Sequence, residues 1–86
     1  MNNILSFNIA NPSGVAMQIA ARVKARRLEL NLTQEGLASR AGVKFSTYRR
    51  FEQTGEISLR GLLQVGFAQL LGQTNLLLTN LRSLII

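Results

Sequence analysis

The stretch "LTQEGLASRAGVKFSTYRRFE", residues 32–52, places two short amphipathic segments on either side of a glycine. The first segment is predicted as a helix from Gln34 to Ala41, because its apolar residues recur on one face. Those residues are Leu37, Ala38 and Ala41. Thr33 is a typical N-terminal cap, and Gly42 supplies the positive φ that ends the helix and turns the chain. The stretch therefore predicts two helices joined by a tight turn.

The second segment, roughly Phe45 to Gln53, separates apolar from basic side chains. Successive residues of a helix lie about 100° apart around its axis. On that spacing one side carries Tyr48, Phe51 and Glu52. The other side carries Ser46, Arg49, Arg50 and Gln53. The predicted helix is therefore apolar where it would meet a core, and it presents adjacent guanidinium groups on the opposite face.

A longer amphipathic stretch precedes this pair and is predicted as a helix from Ser13 to Leu30. Asn11 followed by Pro12 is typical of a helix start, and Asn31 is a plausible left-handed stop. The inward stripe of this helix consists of Ala16, Ile19, Ala20, Val23 and Leu30.

Arg27 lies on that same inward stripe. A buried charge is unfavourable unless it is paired, so Arg27 predicts a buried carboxylate partner. Glu52 lies on the inward side of the helix over 45–53. Two independent helical patterns therefore predict a structural ion pair between Arg27 and Glu52.

Downstream, Ser58 is predicted to cap a fourth helix that runs through Leu71 and Gly72. Its predicted core stripe is Leu59, Leu62, Leu63, Phe67 and Leu70. The apolar residues of 73–86 have helical spacing and predict a fifth helix and a subunit interface, with packing on the chain's own core as the alternative. Residues 1–12 are predicted to be an arm, either disordered or a short strand. The fold class expected is all-α, with four to five helices.

The composition excludes most kinds of catalytic and metal-binding site. The chain has no histidine and no cysteine, and its only carboxylates are four glutamates. Such a chain offers almost nothing for general acid–base catalysis or a metal site, so neither an enzyme nor a cofactor is expected. The absence of cysteine suits a reducing cytoplasm. No apolar run reaches the length of about 18 residues that a membrane helix needs, and the N-terminus lacks signal-peptide features.

The net charge is +6, from ten Lys and Arg against four Glu, and most of the cations are arginines. A planar guanidinium binds phosphate through two parallel hydrogen bonds, so an arginine-rich excess favours a nucleic-acid partner over a merely solvated surface. For Lys44 and for the cations of the first helix, a phosphate contact and a plain solvated charge stay equally open. These cations are Arg22, Lys24 and Arg26.

Two stretches, "ARRLELNLTQEGLASRAGV" and "RRFEQTGEISLRGLL", resemble the lambda-repressor-like, or Xre-type, helix-turn-helix family over about residues 13–72. The matching positions are Gln34, Leu37, Ala38, Ala41, Gly42, Val43, Tyr48 and Phe51. The resemblance implies a compact domain whose helix over 45–53 enters the major groove of double-stranded DNA. It also implies that Arg27–Glu52 is the family's recurring buried salt bridge.

By the family's pattern, the base-facing residues are Phe45, Ser46, Arg49 and Arg50. The positions that match phosphate-contacting or supporting residues are Gln34, Thr47, Lys44, Gln53 and Arg60. Three residues depart from the pattern. Tyr48 replaces a usual Ile or Val, Phe45 replaces a usual polar residue, and Lys44 replaces the usual Ser or Thr cap. Phe45 could contact a thymine methyl or fold back on Tyr48.

The resemblance implies a repressor that binds a palindromic operator as a homodimer and that is cytoplasmic and nucleoid-associated. The alternative comes from a similarity to antitoxins of the HipB kind. Such a protein would bind a kinase-type toxin and autoregulate its operon. A nonspecific RNA binder is less favoured, because few aromatic residues are present for base stacking.

Overall fold

The computed structural model describes residues 11–71. Over this range the regular structure is helical, with α1 spanning Pro12–Glu29, α2 spanning Gln34–Ala41 and α3 spanning Phe45–Thr54. A fourth helix, α4, runs from 59 to 71, where the description ends. The all-α fold is confirmed. The predicted arm, apart from residues 11 and 12, and the predicted tail helix at 73–86 lie outside the described residues.

Side-chain caps set the starts of three helices. The Asn11 side chain accepts a hydrogen bond from the Gly14 amide, and Pro12 occupies the first position of α1. The Thr33 hydroxyl accepts from the Gly36 amide at 2.9 Å, and the Ser58 hydroxyl accepts from the Gly61 amide at 3.0 Å. Each bond satisfies one of the amides that a helix N-terminus leaves without an intrahelical partner. All three predicted caps are confirmed.

The core is small and forms where the four helices of the described region meet. Its largest fully buried side chains are Tyr48, Phe51, Leu37 and Val65. Three alanines complete it: Ala20, Ala38 and Ala41. Since alanine has little side-chain bulk, helices can approach one another closely at these positions, and α3 packs against both α1 and α2. The predicted inward faces of α2 and α3 are therefore confirmed.

The predicted core stripe of α4 is wrong at four of its five positions, and only Leu62 packs against the core as predicted. Leu59, Leu63, Phe67 and Leu70 are all more than half exposed. The buried stripe consists instead of Gly61, Val65 and Gln69, flanked by the partly buried Leu62 and Ala68.

Two contacts explain why α4 buries this face rather than the predicted one. The Gln69 amide donates to the Val23 carbonyl at 2.8 Å and fastens α4 to α1. Gly61 lies so close to the Ile57 side chain that a Cβ at position 61 would stand 2.9 Å from Ile57 Cγ1. Ile19 of α1, also predicted to be inward, is 37% exposed beside the outer face of α4.

Among the helices of the described region, none is both long enough and apolar enough to traverse a bilayer.

Candidate nucleic-acid interface

The turn between α2 and α3 consists of Gly42, Val43 and Lys44. Gly42 has φ +73°, a left-handed conformation that glycine adopts without a Cβ clash. Its amide and that of Val43 both bond back to the end of α2, and the Val43 amide reaches the Ala38 carbonyl at 3.0 Å. These bonds fix the angle at which the chain enters α3. A short glycine-containing turn of this kind is typical of a helix-turn-helix.

The outward face of α3 brings together most of the residues expected to contact DNA. Ser46, Thr47, Arg49, Arg50 and Gln53 are all exposed on it. Lys44 stands at the N-cap of α3, where its side chain makes no capping hydrogen bond. The geometry therefore gathers hydroxyl, amide and guanidinium groups on one solvent-facing surface, which we call the basic face.

Phe45, the first residue of α3, is 40% exposed. The Arg49 guanidinium lies over its ring, 5.5 Å from the ring centroid. A cation over an aromatic face is attracted by the ring quadrupole. Phe45 and Arg49 therefore form a single apolar and cationic unit at the N-terminal end of the basic face.

Arg50 is tied to the loop that follows α3. Its Nη2 donates to Glu56 Oε1 at 2.5 Å, and both side chains are about two-thirds exposed. Thr54 links the same two residues, since its hydroxyl donates to the Arg50 carbonyl and accepts from the Glu56 amide. An exposed ion pair contributes little to stability. The contact holds the Arg50 guanidinium beside the loop that follows α3.

A buried network beneath the basic face anchors α3. Arg27 Nε donates to Glu52 Oε2 at 2.7 Å, and the two side chains are 9% and 4% exposed. The Tyr48 hydroxyl also donates to Glu52 Oε2, and Gln34 Nε2 donates to Glu52 Oε1 at 2.8 Å. Arg27 Nη1 donates to the Leu32 carbonyl at 2.8 Å. The predicted ion pair is confirmed, and it is part of a larger network that joins α1, α2 and α3.

The network shifts the ionisation of its members. Burial alone would raise the pKa of Glu52, but the hydrogen bonds from Arg27, Tyr48 and Gln34 outweigh it and hold that pKa below its ordinary value. The hydrogen bond to Glu52 raises the pKa of Arg27. Burial, followed by the hydrogen bond to the Glu52 carboxylate, raises the pKa of the Tyr48 phenol. At neutral pH the pair is therefore charged and Tyr48 is a neutral donor.

Sequence reasoning missed two members of this network. Tyr48 occupies an apolar position of the family pattern, and its place four residues before Glu52 also puts the two side chains on one helical face. Gln34 matches a phosphate-contacting or supporting position of the family, and its amide nitrogen also donates to Glu52. Gln34 is half-buried and so lies at the junction between the network and the surface.

Four further cations that sequence analysis considered for DNA contact belong to α1 and α4 rather than to α3. Arg60 is exposed near the start of α4, and Arg22 and Lys24 are exposed on α1. Arg26 is partly exposed and pairs with Glu29 at 2.8 Å within α1. The structure therefore concentrates the predicted base-reading residues on α3 and distributes the others around it.

Comparison with known families agrees with this geometry. The helix-turn-helix family model matches residues 23–60, from the second half of α1 through α2 and α3 to the start of α4. Neither a curated protein nor a solved structure matches the chain. The matched range contains the α2–turn–α3 unit, the basic face and the whole buried network. Residues 23–60 of this chain are therefore similar to the helix-turn-helix family, the Xre-type, lambda-repressor-like DNA-binding regulators.

Proposed function

We propose that the protein is a sequence-specific transcriptional repressor that binds a palindromic operator as a homodimer, with α3 in the major groove. The main observation in support of this proposal is that α3 has one exposed basic face and one buried face. Its outer face exposes Arg49 and Arg50, while its inner face is held by the buried Glu52 network. A recognition helix needs both features, because base contacts require an exposed polar face held in a fixed orientation.

The side chains of the basic face suggest which bases it reads. Arginine is the commonest reader of guanine, through bidentate hydrogen bonds to O6 and N7. Phe45 offers an apolar surface suited to the thymine 5-methyl group, and it lies directly beneath the Arg49 guanidinium. We therefore expect the half-site to contain a guanine adjacent to a thymine. Lys44, Thr47, Gln53 and Arg60 are proposed to contact phosphates or support these contacts.

The homodimer is proposed because one helix of this length makes few base contacts. Two copies related by a two-fold axis double the interface, and they read half-sites about one helical turn, or ~34 Å, apart. Proteins of this helix-turn-helix class are regulators rather than enzymes, and the proposal includes no catalytic step.

The experiment that tests the proposal is selection of bound sequences from a random duplex pool, followed by affinity measurements on the enriched site. We expect an enriched palindrome with guanine beside thymine in each half. The Arg49→Ala and Arg50→Ala variants are each expected to lose ~1–3 kcal/mol of binding free energy on this site and to relax the preference at one base position.

Arg22→Ala is the matched control, since it removes an exposed arginine from α1 rather than from α3. Any loss of binding free energy that Arg22→Ala causes is expected to be equal on selected and random DNA. Equal losses on both DNAs for Arg49→Ala and Arg50→Ala would contradict base reading by α3. Failure to enrich any sequence would contradict the proposal that the protein is a sequence-specific repressor.

The antitoxin alternative adds a protein partner to the same DNA-binding role. It predicts that a larger, kinase-type protein co-purifies with the chain in stoichiometric amount and that the complex still binds the selected site. Purification of the chain alone from its native cells, with full operator affinity, would favour the simple repressor.

A further inference from the structure

A carboxylate lies against the basic face of α3. Among the four glutamates, all of them within the described residues, Glu56 is the one that forms an ion pair with a side chain of this face. Its Oε1 accepts a hydrogen bond from Arg50 Nη2 at 2.5 Å. In the chain, Glu56 stands between Gln53 and Arg60, which are both proposed to contact phosphates or to support base contacts. Because like charges repel, an anion at this place opposes the approach of the DNA backbone.

The main chain around Glu56 is held in place on both sides. Gly55 is buried with φ +80°, and a Cβ on it would stand 2.9 Å from the Ala16 carbonyl carbon, so the loop packs directly on the backbone of α1. The Thr54 hydroxyl donates to the Arg50 carbonyl at 2.8 Å and accepts from the Glu56 amide at 3.1 Å. The fold therefore sets the carboxylate within reach of the Arg50 guanidinium.

The ion pair leaves Arg50 able to bind a guanine. A guanidinium carries five N–H groups, and Nη2 contributes two of them. The bond to Glu56 uses one N–H of Nη2, so the second one and those of Nη1 and Nε remain for another acceptor. Two parallel hydrogen bonds to guanine O6 and N7 need only two donors. Since these acceptors are neutral, the contact does not require the carboxylate to leave.

A phosphate contact differs, because phosphate and the Glu56 carboxylate are both anions that compete for one guanidinium charge. Binding to random DNA depends almost entirely on phosphate contacts. If Arg50 makes such a contact, either two anions are brought together or the ion pair is broken, and both outcomes lower the affinity. The two side chains are 68% and 64% exposed, so this penalty is modest and is reduced by salt.

We propose that Glu56 is a specificity-determining residue, whose carboxylate withholds Arg50 from phosphates and leaves it able to read a guanine. The inference rests on the proposed function, because it requires Arg50 to read a base. Glu56 acts through Arg50 and is therefore a positioning residue. The expected result is weaker binding to random DNA with little change on the operator.

The test measures affinity for the selected operator and for random duplex DNA in the parent, Glu56→Gln and Glu56→Ala. Both variants remove the anion, so affinity for random DNA is expected to rise about two- to fivefold, and the operator-to-random ratio to fall by a similar factor. The slope of log affinity against log salt on random DNA should steepen by about 1, since Arg50 then neutralises a phosphate. Thermal melts confirm that both variants fold, and the Tm should change little because the pair is exposed.

Two further variants separate this effect from a general change of charge. Glu29→Ala is the matched control, because it removes an exposed carboxylate that is paired with Arg26 on α1. It should leave the operator-to-random ratio unchanged. In an Arg50→Ala background, Glu56→Ala is also expected to leave the ratio unchanged, because the effect of Glu56 passes through Arg50.

A lower ratio in both Glu56 variants, with no change in Glu29→Ala or in the Arg50→Ala background, supports the proposal. An unchanged or higher ratio overturns it. A fall in Glu56→Ala but not in Glu56→Gln also overturns it, since the hydrogen bond rather than the charge would then be responsible. An equal fall in Glu29→Ala or in the Arg50→Ala background overturns it as well, because Glu56 would then not act through Arg50.

The parent protein distinguishes failure of this inference from failure of the proposed function. A parent that prefers no sequence contradicts the proposed repressor, and the inference fails with it. A parent with a clear preference that neither Glu56 variant alters overturns this inference alone.

Discussion

Glu52 accepts hydrogen bonds from three side chains, and each donor belongs to a different part of the fold. Arg27 comes from the end of α1, Gln34 from the start of α2, and Tyr48 from the preceding turn of α3. A buried carboxylate with its lone pairs satisfied in this way is stable as an ion. The network therefore sets the relative orientation of all three helices around one residue.

Loss of the Glu52 carboxylate should be much more damaging than loss of any single donor. Glu52→Ala is expected to lower the free energy of unfolding by ~3–5 kcal/mol, because it leaves the Arg27 charge buried and unpaired. Tyr48→Phe should cost only about 1 kcal/mol, since Arg27 and Gln34 remain bonded to Glu52. Urea unfolding measures both values. The control is Glu29→Ala, which breaks the partly exposed pair with Arg26 and should cost well under ~1 kcal/mol. Equal effects of Glu52→Ala and Glu29→Ala would contradict the buried network.

The lowered pKa of Glu52 makes stability depend on pH in the acid range. Because the folded-state pKa lies below the ordinary value of 4.5, the unfolded chain binds more protons as the pH falls. The stabilisation from Glu52 is therefore fully present above pH 4.5 and is lost as the pH falls through the folded-state pKa. We expect Glu52→Gln to be less stable than the parent at neutral pH and to show a shallower decline on acidification. Urea unfolding across the acid range measures this slope, and parallel curves for the two proteins would contradict the prediction.

At the scale of single elements, the N-terminus of α3 is unusual. Lys44 occupies the N-cap position with extended backbone angles but provides no acceptor for the first amides of the helix. Its positive charge also lies at the positive end of the helix dipole. The start of α3 is therefore weaker than that of α2, which has the Thr33 cap.

Lys44→Ser should have opposite effects on stability and DNA binding. The serine hydroxyl can accept from an amide of the first turn, so the free energy of unfolding should rise by about 0.5–1 kcal/mol. If Lys44 contacts a phosphate, the slope of log affinity against log salt should fall by about 1. Thermal melts and salt titrations of binding measure the two effects. Thr33→Ala is the control and should lower stability by about 1 kcal/mol. A destabilised Lys44→Ser would show that the lysine stem contributes packing that outweighs the cap.

At the scale of the whole molecule, the proposed dimer fixes the geometry of the operator. Two copies related by a two-fold axis can contact both half-sites only when these lie on the same face of the duplex. Insertion of about five base pairs between the half-sites rotates one of them to the opposite face. We expect affinity then to drop to that of a single half-site, and insertion of about ten base pairs to restore part of the loss. Electrophoretic mobility shifts on the two spacings test this, and insensitivity to spacing would indicate that the chain binds as a monomer.

The local features of the fold could be predicted because each depends on a few neighbouring residues. The caps at Asn11, Thr33 and Ser58 are short-range hydrogen bonds, and Gly42 ends α2 through its own backbone freedom. The pair Arg27–Glu52 was predictable despite its long sequence separation, because a charge on an apolar stripe requires a partner and only one carboxylate lay on a matching inward face. The basic face of α3 followed from the same periodicity.

The inward face of α4 could not be predicted in the same way. This helix has apolar residues on both sides, and a period of 3.6 residues identifies a face only when the opposite side is polar. The choice was made by the rest of the fold, through the Gln69 hydrogen bond to Val23 and the close approach of Gly61 to Ile57. Gln34 likewise became a partner of Glu52 only when the fold brought α2 and α3 together, whereas Tyr48 lies one turn before Glu52 on the same helix.

The sequence by itself thus determined, to within about one residue, where α1, α2 and α3 begin and end. It also determined the turn between α2 and α3 and which side of α3 is basic. These features depend on side-chain and backbone preferences within a few residues. Only the tertiary structure decided which face of α4 is buried and how many donors Glu52 collects. Those outcomes depend on distances between helices that are far apart in the chain, and no local pattern contains them.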